Sequence, residues 1–178
     1  MTSTLHATTM PSPIGELTIV ADDHAIVAIR WDTESDERQP DAHNPVDAWI
    51  GRRGVDVSES PDHPVLAAAV AQLTEYFAGD RLAFDLPLAP VGTEFQQAAW
   101  QALRGIPFGE TVSYGEQAAA MGDKRKARAV GAANGRNPIP IVVPCHRVVG
   151  SNGHLTGFAG GIEVKAWLLD HELRVRAS

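Results

Sequence analysis

A single cysteine, Cys145, stands in the 178 residues. That excludes an intramolecular disulfide framework and any multi-cysteine zinc set, and it favours a reducing compartment. No apolar run approaches the roughly 20 residues needed to span a bilayer. Met1 to Pro13 has no basic stretch followed by an apolar one, so no secretory leader is expected. The seven histidines (His6, His24, His43, His63, His146, His154, His171) show no i, i+4 pair. With that spacing and one cysteine no metal site is expected, and no cofactor is expected either. What is present, 44% hydrophobic and 21% charged residues, is the composition of one ordinary domain or two small ones.

Charge is divided unevenly. Residues 1–90 carry 5 basic and 15 acidic side chains, whereas residues 91–178 carry 10 basic and 7 acidic ones. Between Lys124 and Ile162 stand Lys124, Arg125, Lys126, Arg128, Arg136 and Arg147, with no acidic residue among them. Phosphate senses potential within a Debye length, about 8 Å at physiological salt. The net charge of −7 therefore conceals a candidate nucleic-acid face. A merely solvated basic surface explains the charge equally well.

The first half predicts an α/β domain, residues 1–88. Gly15 to Val20 and Ala25 to Trp31 are β-branched runs around Ala21 to His24, a hairpin pattern. Residues 32–63 are acidic and rich in Pro, Gly and Ser, which predicts a long surface loop or a partly disordered insertion. Pro64 to Gly79 has the spacing of a helix with proline at its start and glycine at its end. Leu82 to Leu88 predicts a further strand, and Pro87 to Gly92 a linker.

The second half, residues 89–178, predicts mainly helix. Thr93 with Gln96 signals a capping box for a helix through Leu103, and Ser113 with Glu116 signals another through Met121. After Gly122-Asp123 the run Lys124 to Asn134 predicts a third, which completes a helix-turn-helix pattern. Ile139 to Val143 predicts an extended segment. Arg147–Val149 and His154–Thr156 around Asn152-Gly153 predict a wing-like hairpin. Glu163 to Leu173 predicts a closing helix with Trp167, Leu168 and Leu169 inward.

The densest chemistry lies in Asn137 to Val148, where Pro138, Pro140 and Pro144 are expected to hold the chain extended and deliver Cys145 to a fixed point. A lone cysteine is most often a buried inert thiol. Arg147 and the basic run favour the thiolate instead. Neighbouring side chains of an extended chain face opposite ways. So either the chain turns at His146, or a water bridges imidazole and thiol. Asp170 and Glu172 are the nearest carboxylates that spacing offers to orient the imidazole.

Pro144-Cys-His-Arg-Val148, with Asn137-Pro138, Arg128-Ala-Val-Gly131, Gly160-Gly161 and Trp167-Leu-Leu169, strongly resembles the O6-alkylguanine-DNA alkyltransferases. The likeness runs from about Gly92 to Glu172, and more loosely through Ser12-Pro-Ile-Gly15. It implies a ribonuclease-H-like first domain and a winged helix-turn-helix second domain. It also implies a protein that flips O6-alkylguanine from duplex DNA and takes the alkyl group irreversibly onto Cys145. By the same resemblance, His146 takes the thiol proton through water, Glu172 orients His146, and Tyr114 donates to the departing guanine. Arg128 would fill the space of the flipped nucleotide. Lys124, Arg125, Lys126, Ala127, Ala129, Gly131, Ala132 and Arg136 would meet the minor groove, and Asn137, Pro140, Arg147, Val148, Phe158, Ala159 and Gly160 would line the base pocket. Some members carry tyrosine and serine where Phe158 and Ala159 stand, so one or two hydrogen bonds to the base are expected to be missing here.

A thioether offers a positioned water no good leaving group, so each molecule is expected to act once. The alternative is a non-catalytic winged-helix lesion sensor or regulator, but such sensors lack the cysteine. A thiol hydrolase would need turnover and has no use for the Arg128 helix. The expected partner is duplex DNA, bound in the cytoplasm at the nucleoid, or in the nucleus of a eukaryote, by a protein that is a monomer in solution with assembly on DNA left open.

Overall fold

The computed structural model describes residues 4–31, 56–158 and 160–178. The chain divides into two compact units, Met1–Val91 and Gly92–Ser178. No described helix is long and apolar enough to cross a membrane.

The first unit is a four-stranded sheet of order β3-β2-β1-β4 with one helix against it. Its strands are β1 (Leu5–Met10), β2 (Leu17–Ala21), β3 (Ile26–Trp31) and β4 (Val57–Glu59). β1, β2 and β3 run antiparallel in sequence, and β4 joins β1 in parallel. All five residues of β2 are buried, because β2 is central and covered on both faces. Helix α1 (Pro64–Ala78) begins with proline at its first position and ends at Gly79 in the left-handed region, φ 83°. The Gly79 and Asp80 N–H groups return to the Tyr76 and Glu75 carbonyls, closing a Schellman turn that glycine makes without strain. Leu66, Ala69, Leu73 and Tyr76, spaced three to four apart, are its buried face. Truncating Leu66 or Leu73 to alanine costs about 2–5 kcal/mol.

Residues 82–88 form no strand, contrary to expectation. Only Leu88 bridges Ile26, through Ile26 N–H to the Pro87 carbonyl and Ala89 N–H to the Ile26 carbonyl. Earlier in this stretch the Gln72 amide takes both backbone groups of Asp85, at 2.8 and 2.9 Å, in place of a strand partner. Of the expected acidic loop 32–63, residues 32–55 lie outside the described residues. Its end supplies β4.

The second unit contains α2 (Glu94–Leu103), β5 (Val112–Ser113), α3 (Tyr114–Ala120), a 3-10 turn at Lys124–Lys126, α4 (Ala127–Gly135), a 3-10 turn at Cys145–Arg147, β6 (Val148–Val149) and α5 (Ile162–Ala177). The Thr93–Gln96 capping box forms as expected, and Ser113 caps α3. A buried polar clamp joins α2, α3 and α4. Gln117 and Asn134 exchange amide hydrogen bonds at 2.7 and 3.0 Å, Gln117 also donates to the Ala99 carbonyl, and Trp100 Nε1 donates to the Ala133 carbonyl at 2.8 Å. Every polar group in the clamp has its partner, so the clamp fixes the register of the helices.

Two expectations about the helix-turn-helix and its wing fail. The run Lys124 to Asn134 is not one helix. Asp123 accepts from the Arg125 N–H and its carbonyl from the Lys126 N–H, which tightens the first turn into 3-10 form before α4 begins. The wing-like hairpin also lacks its second strand. Gly150 N–H does reach the His154 carbonyl, but Val148–Val149 pairs in parallel with Val112–Ser113. The Thr156 carbonyl is taken by Tyr114 and Lys165 side chains instead.

Candidate active site

The segment from Asn137 to Cys145 is compact, not extended. Val142 N–H bonds the Pro140 carbonyl across Ile141, whose φ is +73°, and Val143 N–H bonds the Ile139 carbonyl. A β-branched residue in that region costs on the order of 1–3 kcal/mol and persists only where its surroundings impose it. Here Asn137 imposes it. Its Nδ2 donates to the Val143 carbonyl at 2.8 Å and its Oδ1 accepts from Ile139 N–H at 3.0 Å. Pro144, at φ −83° and ψ 66°, then makes an inverse γ-turn that sends Cys145 N–H to the Val143 carbonyl. Proline fixes φ near −65° but leaves ψ free, so three prolines accommodate turns as readily as an extended run.

Of the two alternatives at His146, the structure has the turn: Cys145–Arg147 is a 3-10 turn. Cys145 is 9% exposed and His146 and Glu172 are essentially sealed from solvent. His146 Nε2 lies 2.7 Å from Glu172 Oε1. Arg147 also grips Glu172, with Nε to Oε2 at 3.0 Å and NH2 to Oε1 at 2.9 Å, while its NH1 donates to the Ile106 carbonyl. Gly109 N–H completes the cage. Burial alone would raise the Glu172 pKa, but hydrogen bonds from His146 and Arg147 outweigh it and hold the carboxyl far below its usual range. An ionised carboxylate only accepts. Nε2 of His146 therefore carries the proton, and Nδ1, which has no hydrogen-bond partner among the described residues, keeps its lone pair. Burial pushes the His146 pKa down despite Glu172, so the ring is neutral near pH 7.

The expected thiolate is corrected. Burial pushes the Cys145 thiol up, against the opposing pull of an Asn137 hydrogen bond and the charge of Lys165. Arg147 does not help, because its guanidinium is committed to Glu172 and Ile106. At rest Cys145 carries a thiol and His146 a neutral ring.

Glu172, not Asp170, meets His146. Asp170 is exposed and pairs with Arg174. Lys165 escaped sequence reasoning. It is fully buried on α5, with Nζ donating to the Val148 and Thr156 carbonyls at 2.6 and 2.8 Å and standing 5.9 Å from the Tyr114 ring centre. Its spacing of three residues to Leu168 and seven to Glu172 was the signal, since it puts a lysine on the buried stripe of α5. Of the residues expected inward there, Leu168 is buried and Trp167 and Leu169 are half-buried.

A cleft of about 620 Å³ is walled by Tyr114, Arg128, Gly131, Gly135, Thr156 and Gly157 among others, and by none of Cys145, His146 and Glu172. Tyr114 Oη accepts from Thr156 Oγ1 at 3.0 Å. Lys124, Arg125, Lys126, Arg128, Ala129, Ala132 and Arg136 are exposed, and Ala127 and Gly131 half-buried. Arg125 is paired with Asp123, and Lys126 lies over the Phe95 ring. Of the expected base-pocket residues, Asn137, Pro140, Arg147, Val148 and Phe158 are buried and Gly160 is half-buried, none of them on the cleft wall. Ala159 lies outside the described residues.

Two family models match the chain: the ribonuclease-like domain of 6-O-methylguanine DNA methyltransferase over residues 5–90, and its DNA binding domain over residues 94–174. The constitutive methylated-DNA–protein-cysteine methyltransferase of Bacillus subtilis is 46% identical over 167 residues, 93% of each chain. The Mycobacterium tuberculosis protein of that name is 44% identical over 168 residues, covering 94% of this chain and 92% of its own. A crystal structure of M. tuberculosis O6-methylguanine methyltransferase superposes with TM-score 0.78 at 42% identity, covering 96% of this chain and 93% of that one. The M. tuberculosis OGT structure in complex with DNA gives TM-score 0.80 at 42% identity, covering 96% and 94%. With a ribonuclease-like unit, a DNA-binding unit and these relatives, the chain belongs to the 6-O-methylguanine DNA methyltransferase family, the methylated-DNA–protein-cysteine methyltransferases of DNA repair.

Proposed function

We propose that this chain restores guanine in duplex DNA by moving an O6-alkyl group to Cys145 Sγ, once per molecule. The observation that carries the reading is the sealed His146–Glu172 pair next to Cys145, with Nε2 tied at 2.7 Å and Nδ1 left with its lone pair. A protein that only recognised lesions would have no use for a buried base and its carboxylate.

The exposed cations of the 3-10 turn and α4 hold phosphates, and α3 with α4 serves as the helix-turn-helix element in the minor groove, where little sequence is read. Gly131 and the small residues around it let the backbone approach closely. Arg128, on the cleft wall, enters the stack as the damaged nucleotide swings out, at a cost of a few kcal/mol. The Cys145 proton passes through a water to His146 Nδ1, and Glu172 stabilises the imidazolium that forms. Sulfur attacks the alkyl carbon as the carbon–O6 bond breaks. The electron pair leaves on guanine, to which Tyr114 Oη donates a proton or hydrogen bond. The thioether product has no leaving group for water to displace.

Incubation with excess O6-methylguanine duplex tests this. Restored guanine should level off at one per protein molecule. Restoration that continues in proportion to time would overturn the single-use reading.

A further inference from the structure

Tyr114 and Thr156 meet on the cleft wall although 42 positions separate them in sequence. Tyr114 is the first residue of α3, just behind its cap Ser113. Its ring is held on two sides. Gly131 of α4 lies so close that a Cβ there would stand 3.5 Å from Tyr114 Cδ1, and Lys165 Nζ is 5.9 Å from the ring centre. Thr156 stands in the segment between β6 and α5 and is exposed. That segment folds back on itself, with the Gly150 N–H on the His154 carbonyl and Gly153 in the left-handed region at φ 79°. The fold-back brings Thr156 to the phenol.

Two hydrogen bonds link the pair, one in each direction. Thr156 Oγ1 donates to Tyr114 Oη at 3.0 Å, and Tyr114 Oη donates to the Thr156 carbonyl at 3.2 Å. Each hydroxyl has one proton, so both protons are committed at rest. The carbonyl has a second and closer donor, Lys165 Nζ at 2.8 Å. When the phenol proton turns away toward a substrate, the carbonyl therefore keeps a partner, and no acceptor is orphaned by the move. The Thr156 hydroxyl stays aimed at the phenolic oxygen throughout.

Resting on the alkyl-transfer reading, we propose that Thr156 is a positioning residue for Tyr114, its hydroxyl orienting the phenol and steadying its oxygen as the phenol proton passes to the departing guanine. As the carbon–O6 bond breaks, its electron pair stays on guanine. The Tyr114 proton moves to that guanine, and the O–H pair remains on Oη as a phenolate. The proton that Cys145 gives to His146 balances the charge, and the phenolate recovers a proton from water. A hydrogen bond given to the charged form of an acid favours that form. Thr156 Oγ1 already donates to the atom on which this charge develops, so the donor needs no reorganisation at the moment of transfer.

Whole protein is mixed with O6-methylguanine duplex under single-turnover conditions, and restored guanine is followed by rapid quench over a range of duplex concentrations. Thr156→Val keeps the branched shape and the backbone carbonyl and replaces the hydroxyl by a methyl group. It should lower the maximal transfer rate about tenfold, less than a general acid itself contributes. The half-saturating duplex concentration should stay within about twofold of wild type. Thr156→Ser should recover most of the rate, because it restores the hydroxyl. In a Tyr114→Phe background, Thr156→Val should change nothing further, since the oxygen it serves is gone. A role confined to holding the 150–161 segment would instead move duplex affinity and Tm, and would persist without the Tyr114 hydroxyl. An unchanged or faster rate in Thr156→Val, or an undiminished effect in the Tyr114→Phe background, would overturn the assignment and leave the alkyl-transfer reading standing. Wild-type protein that restores no guanine would remove that reading, and this inference with it.

Discussion

Glu172 Oε1 takes two buried donors at once, His146 Nε2 at 2.7 Å and Arg147 NH2 at 2.9 Å. One carboxylate thus fixes the tautomer of the His146 imidazole and neutralises a buried guanidinium. Removing a partner from a buried ion pair strands the other charge, at about 3–5 kcal/mol. Glu172→Gln should therefore lower the unfolding free energy by that amount in urea and slow single-turnover transfer. Loss of rate with unchanged stability would show that Arg147 draws its compensation from elsewhere.

Stability should fall on the acid side. The His146 pKa is lowered in the folded chain relative to about 6.5 unfolded, so between the two values the unfolded chain binds a proton that the folded one refuses. Stability thus rises with pH through that window and declines from pH 7 toward 5. Glu172 acts in the same sense at lower pH. Its folded pKa is depressed, so its contribution is present above the unfolded value of about 4.3 and lost as pH falls further. Urea midpoints from pH 7.5 to 4 would show the decline, and His146→Gln should flatten its upper part. A flat profile for the unaltered protein would contradict a neutral buried imidazole.

Free Cys145 should be sluggish toward ordinary electrophiles. Burial holds it as a thiol, and only the thiolate attacks. Iodoacetamide should modify it about tenfold or more slowly than a cysteine peptide at pH 7.5, with a rate still climbing above pH 9. Peptide-like reactivity would mean that the sulfur is already ionised at rest.

These expectations rest on geometry that the sequence disclosed only in part. Local signals were legible where one residue decides a local bond, as Thr93 with Gln96 or Gly79 does. The pairing of His146 with a carboxylate 26 positions away was legible only as a choice between Asp170 and Glu172. Their helical positions differ by two residues, which puts them on different faces of α5. The turn around Ile141 was not legible, because it depends on Asn137 reaching across to Val143. Nor was Lys165, a charged residue that three- and four-residue spacing places inward.

Arg128→Ala should separate duplex work from chemistry. The side chain is exposed on the cleft wall and touches neither Cys145 nor His146 in any hydrogen bond found. Repair of O6-methylguanine in duplex should slow at least about tenfold, in line with the few kcal/mol needed to extrude a base. Reaction with the free O6-alkylguanine base should change little. Equal losses on both substrates would place Arg128 in the chemistry instead.

The central claim is that the alkyl group ends on one sulfur. Intact-protein mass after incubation with O6-methylguanine duplex, followed by peptide mapping, reads it directly. The account predicts a gain of one CH2 unit per molecule, confined to Cys145 and absent in Cys145→Ser. Guanine restored with the protein mass unchanged, or with the added carbon on another residue, would contradict it.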